Sequence, residues 1–429
     1  MIATLKPARR VRGAARVPGD KSISHRAFLL AALADGAVEV RGAGRGEDVR
    51  STLRCVAELG AAVSEPAGAD CIRVQGRSLR GLSPPRAPLD CGNSGTTLRL
   101  LAGILAGHSF AATLTGDASL SARPMERVAA PLRAMGARVE LSARGTAPLW
   151  VEGGALRGID YSMPVASAQV KSCILLAALY AEGASAVREP VPTRDHTERL
   201  LGAAGVSLKR ERGAIVITPA TRLSLDRIEV PGDFSSAAFL LAAAALLPGS
   251  EIELRAVGLN PSRTAFLDLL HDMGAAVEHQ IESESGAEPR GAVRVRGAEL
   301  RAVSLGPERA AALIDELPLV AALAARAEGI SELRGAAELR HKESDRLAAM
   351  AQGLRALGAQ VEELPDGWVI QGPAALCGAE LQSRGDHRVA MALAVLALAA
   401  RGPSRIHAAE CVAVSFPGFF ETLESLVEC

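Results

Sequence analysis

The stretch Asp20-Lys21-Ser22-Ile23-Ser24-His25-Arg26 sets an ammonium, two hydroxyls and a guanidinium within about two turns at the start of an apolar helix. Free backbone N–H groups and the helix dipole favour an anion at such a position. Lys21, Ser22 and Arg26 would complete a phosphate or carboxylate site there. The competing account is an N-cap by Ser22 or Ser24 with solvated charges. Gly92-Asn93-Ser94-Gly95-Thr96-Thr97-Leu98-Arg99 opens a second apolar helix, and Gly95 would let a ligand approach the backbone closely. Asp117 to Met125 follows a strand-like run, and its Arg123 suits a carboxylate or phosphate, or else belongs to a loop before a Pro-started helix. Ser167-Ala168-Gln169-Val170-Lys171 opens a third helix, where Ser and Gln can hold sugar-like hydroxyls and phosphate oxygens, or Ser167 serves as a simple cap. Arg194-Asp195-His196-Thr197-Glu198 fits a capping role and a ligand role equally.

The carboxy-terminal half adds acids. Asp315-Glu316 interrupts an apolar helix start in ALIDELPLV, and a carboxylate there is functional or a cap in the dipole field, the former being favoured. Arg340-His341-Lys342-Glu343-Ser344-Asp345-Arg346 packs both signs into one turn and helix start, and Asp386-His387-Arg388 precedes the last apolar helix. Cations, hydroxyls and at least two carboxylates, with neither metal-ligand spacing nor a Walker loop, suit the binding of two anionic small molecules and proton movement between them.

Composition narrows the setting. Basic and acidic residues balance at 48 each, so no net field favours nucleic acid or an acidic membrane, and anion binding must come from local clustering. Lysine occurs only at positions 6, 21, 171, 209 and 342. An ammonium kept against an Arg-rich background marks a required amine, a reading applied to Lys21 and Lys342 but not to Lys6 and Lys209. Seven scattered cysteines without CxxC spacing point to neither disulfides nor zinc, and so to a reducing cytoplasm. No export signal is expected at the amino terminus, and the apolar runs are too short to span a bilayer.

The elements that must position these residues recur. Six copies, opening at Val17, Leu89, Met163, Val230, Gly306 and Ser383, each run from a polar start through an apolar helix to Gly and a strand. Between them lie amphipathic helices ending in Gly-Ala, as in LRCVAELGAAVSE and LRALGAQVEE, with Gly at the left-handed C-cap. Each repeat therefore reads β-α-β-α-β-β, its apolar helix buried on every side. The predicted fold is a two-domain, inside-out α/β architecture with three repeats per domain. The amino-terminal strand is taken to precede the first repeat. Val17-Pro18-Gly19-Asp20 and its echo Val230-Pro231-Gly232-Asp233 are read as hinge crossings, rather than ordinary turns. That places a continuous domain at 20–231 and a discontinuous one at 1–19 and 232–429. The fourth opening, Gly232 to Ser236, receives no ligand and is read as a hinge beside the site.

With DKSISHR, GNSGTTLR, SLSARPM, SAQVKS, RDHTE, IDELP, LRHKESDR and GDHR in this order, nearly the whole chain resembles the EPSP synthases, the 3-phosphoshikimate 1-carboxyvinyltransferases of the shikimate pathway. The resemblance implies the same two-domain fold and a transferase that adds the 5-hydroxyl of shikimate 3-phosphate to phosphoenolpyruvate, then expels phosphate from a tetrahedral intermediate. It puts Lys21, Ser22, Arg26, Ser167, Ala168, Gln169, Arg194, Asp315 and Lys342 at shikimate 3-phosphate. It puts Lys21, Gly95, Arg123, Gln169, Arg346 and Arg388 at phosphoenolpyruvate. Asp315 would take the hydroxyl proton and Glu343 would protonate the methylene carbon, with Lys21 sharing proton transfer. The continuous domain would carry the shikimate 3-phosphate side, and the discontinuous one arginines for phosphoenolpyruvate and the acid–base groups. No cofactor, metal, nucleic acid or membrane partner is implied, and the expectation is a cytoplasmic monomer. Two positions depart from relatives: Val414 stands where many carry Lys, and Glu338 where some carry Asn. Two alternatives are a UDP-N-acetylglucosamine enolpyruvyl transferase and a non-catalytic anion binder. The first is disfavoured because Ser22, not Asn, follows Lys21, and because only Cys91 offers itself as the loop cysteine of that enzyme.

Overall fold

A computed structural model describes residues 1–66, 70–283 and 287–428. The chain divides into two compact units, one of residues 1–18, 231–283 and 289–428, the other of 19–230 with Ala287 and Glu288. The crossings thus fall at Pro18/Gly19 and Val230/Pro231, one residue away from the expected boundaries on each occasion. Glycine packing accounts for the placement. A Cβ on Gly19 would lie 1.8 Å from the Gly42 carbonyl oxygen, so Gly19 is locked into the second unit, whereas Gly232 donates its N–H to Ala256 at 2.7 Å in the first.

Within the unit spanning 19–230, three four-stranded sheets share one plan. A lead strand lies parallel to the strand that follows the buried helix, which pairs in turn with an antiparallel hairpin. The second repeat shows it directly: Leu89–Asp90, Ala111–Thr115, Leu149–Glu152, then Arg138–Leu141. In the first repeat the lead strand is Arg227–Glu229, which runs parallel to Ala37–Arg41. The three buried helices Lys21–Leu33, Gly95–Leu105 and Ala168–Ala178 fill the interior, consistent with apolar residues on all their faces. Two of them touch through backbone: a Cβ on Gly103 would lie 2.2 Å from the Cys173 carbonyl oxygen.

The other unit repeats the plan around Phe234–Leu246, Leu317–Ala324 and His387–Ala397. Every residue of Phe234–Leu246 is buried. The amino-terminal strand Arg10–Ala15, which precedes the first repeat in the chain, leads the fourth, parallel to Glu251–Gly258 in the discontinuous unit. The discontinuous unit thus takes a lead strand from before the first crossing, whereas the 19–230 unit takes its own, Arg227–Glu229, from the last residues before the second. The sixth repeat also departs from β-α-β-α-β-β. Among the described residues it has no terminal hairpin, and Ile2–Leu5 pairs antiparallel with Ser404–His407 in its place. Among the described residues no helix is long and apolar enough to cross a membrane.

Candidate active site

In the 19–230 unit the polar openings of the three buried helices lie together. Asp20, not Ser22 or Ser24, caps Lys21–Leu33, accepting from Ile23 N at 2.8 Å. Ser24 is buried and structural, donating to the Asp20 carbonyl and accepting from Gly44 N. Lys21 Nζ lies 3.0 Å from Asp48 Oδ2 on the neighbouring helix Glu47–Glu58, which fixes the direction of the ammonium. Arg26 is buried and donates to Thr197 Oγ1, the Ser22 carbonyl and Ser172 Oγ at 2.7–2.8 Å, so three of its five N–H groups are committed to protein. Burial outweighs the opposing fields of Glu198 and Asp20 and draws its pKa down to about 10, with Arg194 adding to the depression. The guanidinium remains charged at neutral pH.

Ser94 caps the second helix through Thr97 N at 3.1 Å. Behind it runs a buried chain of short contacts: Ser94 Oγ to Thr97 Oγ1 at 2.8 Å, Thr97 to Thr52 at 2.7 Å, and Thr52 to His25 Nδ1 at 2.6 Å. The chain joins three helices without using charge. Burial, reinforced by Lys21 and Arg26, holds the His25 imidazole well below its ordinary 6.5, so it stays neutral. Ser167 caps the third helix, accepting from Val170 N. Gln169 is clamped, its amide donating to Thr96 Oγ1 at 2.9 Å and its carbonyl accepting from Arg99 at 2.5 Å. Arg123 is held by Asn93 Oδ1 at 2.7 Å and by Ser119. A Cβ on Gly95 would meet Arg99 Nη1 at 2.9 Å and Arg123 Nη1 at 3.5 Å, so its missing side chain leaves space between two guanidinium groups. Arg194 sits half-buried just before the helix His196–Ala203.

The remaining predicted residues lie in the other unit, where the three openings also meet. Asp386 is fully buried. Its Oδ1 caps His387–Ala397 while Oδ2 accepts from Arg346 Nε at 2.8 Å. Burial works against charge on both partners, yet their mutual attraction lowers the Asp386 pKa and, with Glu343 and Asp315, raises that of Arg346. Arg346 also reaches Glu343 Oε2 at 2.5 Å, and Lys342 pairs with Glu338 at 2.9 Å. Arg388 donates to the Asp315 carbonyl at 2.8 Å. Around the Asp315 carboxylate, Arg263, Arg346 and Arg388 each stand at 3.8 Å. Glu316 is the N-cap residue of the helix that starts at Leu317 but makes no side-chain capping hydrogen bond there.

Several residues escaped the sequence reading. Arg99 hides inside an apolar helix, and Asp48 lies on an amphipathic one away from any opening. Arg263 follows the turn Asn260-Pro261-Ser262 with no charged neighbour, which left no signal. The fourth opening is not idle, because Ser235 is hydrogen-bonded to both Glu316 and Arg263. Lys171, which the rarity of lysine had left open, is a buried ion-pair centre between Glu189 and Glu198 at 3.1 and 2.8 Å. Cys91 is fully buried, and its hydrogen bond with Cys55, together with burial, raises the thiol pKa. It cannot be an exposed loop nucleophile.

The sequence and the fold are similar to those of known proteins. The family model of EPSP synthase (3-phosphoshikimate 1-carboxyvinyltransferase) covers residues 5–423. A 3-phosphoshikimate 1-carboxyvinyltransferase from Methylococcus capsulatus is 50% identical over 427 residues, 99% of this chain and 97% of the relative. One from Synechococcus is 51% identical over 432 residues, again 99% and 97%. The solved EPSP synthase from Acinetobacter baumannii superposes with a TM-score of 0.89 at 42% identity, covering 99% of this chain and 98% of that one. The enolpyruvyl transferase NikO from Streptomyces tendae, at 19% identity and a TM-score of 0.80, shares the fold. By sequence over nearly its whole length and by fold, the chain belongs to the EPSP synthase family.

Proposed function

We propose that the chain transfers the enolpyruvyl group of phosphoenolpyruvate to the 5-hydroxyl of shikimate 3-phosphate and releases inorganic phosphate, as a 3-phosphoshikimate 1-carboxyvinyltransferase. Beyond family membership, one observation carries the chemistry: the Asp315 carboxylate is ringed at 3.8 Å by three guanidinium groups. Anion binding alone gains nothing from an acid placed there, whereas acid–base catalysis beside bound anions requires one.

In this reading Lys21, Ser22, Arg26, Ser167, Ala168, Gln169, Arg194, Asp315 and Lys342 hold shikimate 3-phosphate. Lys21, Gly95, Arg123, Gln169, Arg346 and Arg388 hold phosphoenolpyruvate, whose carboxylate and phosphate suit guanidinium forks. Asp315 accepts the proton of the 5-hydroxyl as its oxygen bonds to C2 of phosphoenolpyruvate. Glu343 delivers a proton to C3, and Lys21 shares in proton transfer. The tetrahedral intermediate then loses a proton from C3 and expels phosphate as the C2–O bond breaks, restoring the double bond. Arginines stay protonated throughout and stabilise the charge that develops. The segments 1–19 with 232–429, and 20–231, each supply part of this set. The enzyme acts as a monomer in the cytoplasm.

Phosphate release from phosphoenolpyruvate, measured with each acceptor, tests the reading. Shikimate 3-phosphate should support turnover and UDP-N-acetylglucosamine should not. Release with UDP-N-acetylglucosamine alone would overturn the assignment.

A further inference from the structure

The fourth opening is the one repeat start that the proposed reaction leaves unused, and its chemistry is too specific for a turn. Asp233 caps Phe234–Leu246 through Ser235 N at 2.7 Å and Ser236 N at 3.2 Å, which fixes the Ser235 side chain at the first turn. The Ser235 hydroxyl donates to Glu316 Oε1 and accepts from Arg263 Nη2. All three residues are at most 6% exposed. A buried carboxylate and guanidinium are costly unless paired, so this cluster must be maintained by each of its members. Its other contacts lead to one place. Arg263 lies 3.8 Å from Asp315 and 3.7 Å from Glu316, and Arg388 stands at the same distances from the two acids.

Two adjacent acids therefore share two guanidinium groups. Glu316, deeper and bonded to Ser235, draws part of that positive charge to itself. If it did not, Arg263 and Arg388 could close onto Asp315 as short ion pairs and hold its carboxylate too firmly ionised to accept a proton. Arg263, Arg346, Arg388 and Glu316 are among the groups that face Asp315, with Asp386 and Glu343 engaging Arg346 from behind. Of these, only Arg263 and Glu316 meet at Ser235. We infer that Ser235, Arg263 and Glu316 form a positioning cluster that sets the orientation and proton affinity of Asp315. This rests on the reading of Asp315 as the base, and none of the three residues needs to touch substrate.

Opposite charge removals should act in opposite directions, which unfolding cannot imitate. Glu316→Gln should lower kcat about 10-fold with little change in either KM, and should move the acidic limb of kcat/KM down by about one pH unit. Arg263→Gln should move that limb upward, and Arg263→Lys should restore much of the wild-type position. If Glu316→Gln fails to fold by circular dichroism, the Arg263 pair carries the test. Ser235→Ala, a one-atom deletion, should still lower kcat more than it raises KM. A limb that stays in place in folded Glu316→Gln and Arg263→Gln proteins, with losses confined to thermal stability, would make the cluster merely structural. Asp315→Asn in the same assay separates the two claims. Near-normal turnover there sinks the base itself, whereas an inactive Asp315→Asn beside unmoved limbs sinks this inference alone.

Discussion

The two units solve the same assembly problem, three polar helix starts brought together, with different chemistry. In the 19–230 unit the links between openings are neutral or singly charged: the His25–Thr52–Thr97–Ser94 chain, Gln169 on Thr96, and Arg26 on Ser172. Ionic contacts exist there, as between Lys21 and Asp48, but hydroxyls and an amide set the geometry. In the other unit carboxylates and guanidiniums do so, through Asp386, Arg346, Asp315, Arg388, Glu316 and Arg263. The difference teaches a division of labour. A hydroxyl framework positions cations without neutralising them and so favours binding of anions. A lattice of alternating charge keeps acids ionisable beside bound anions, at the cost of requiring every buried charge to keep its partner.

The contrast should appear first in stability. Asp386→Ala leaves Arg346 buried without its Nε partner and removes a cap, and should cost about 3–5 kcal/mol by urea unfolding. A loss below about 1 kcal/mol, the usual net worth of one hydrogen bond, would put the lattice on a par with the hydroxyl chain. Next in size, Gly95→Ala presses a methyl between Arg99 and Arg123. It should weaken inhibition by the phosphonate analogue glyphosate at least about 10-fold, as overpacking of a filled site does. Equal potency would refute the steric account. In the neutral framework, Thr97→Val should cost only about 1 kcal/mol, read by the same unfolding experiment.

The smallest effect is one of pH. Because the folded His25 pKa lies below 6.5, the unfolded chain binds more protons as pH falls through that value, and wild-type stability should decline on the acid side. His25→Asn should flatten that part of the dependence of melting temperature on pH between 7.5 and 5.5. An unchanged slope would mean that the imidazole is protonated in place.

Much of the fold was legible in the sequence, since a helix that is apolar all round announces its burial. Lys21 stood out as a rare lysine and Asp315 as an acid interrupting an apolar helix start, whereas Arg346 and Arg388 were singled out by the resemblance. What could not be read was pairing at long range. Nothing local in Arg10–Ala15 says that it leads the fourth repeat, because register is set by partners more than 200 residues away in sequence. Arg263 was silent for the same reason: its acids come from the fifth repeat, and its serine stands 28 residues before it at the helix start. Arg26 was read for its charge alone, whereas Thr197 and Ser172, distant in sequence, show how much of that charge the fold itself employs.

The central claim is that the ionic unit carries the base. Turnover and ligand binding of Asp315→Asn, measured side by side, test it most directly. The account predicts that binding of shikimate 3-phosphate remains measurable while kcat falls at least about 100-fold, as expected when a general base is lost. Turnover near that of the wild type would contradict it.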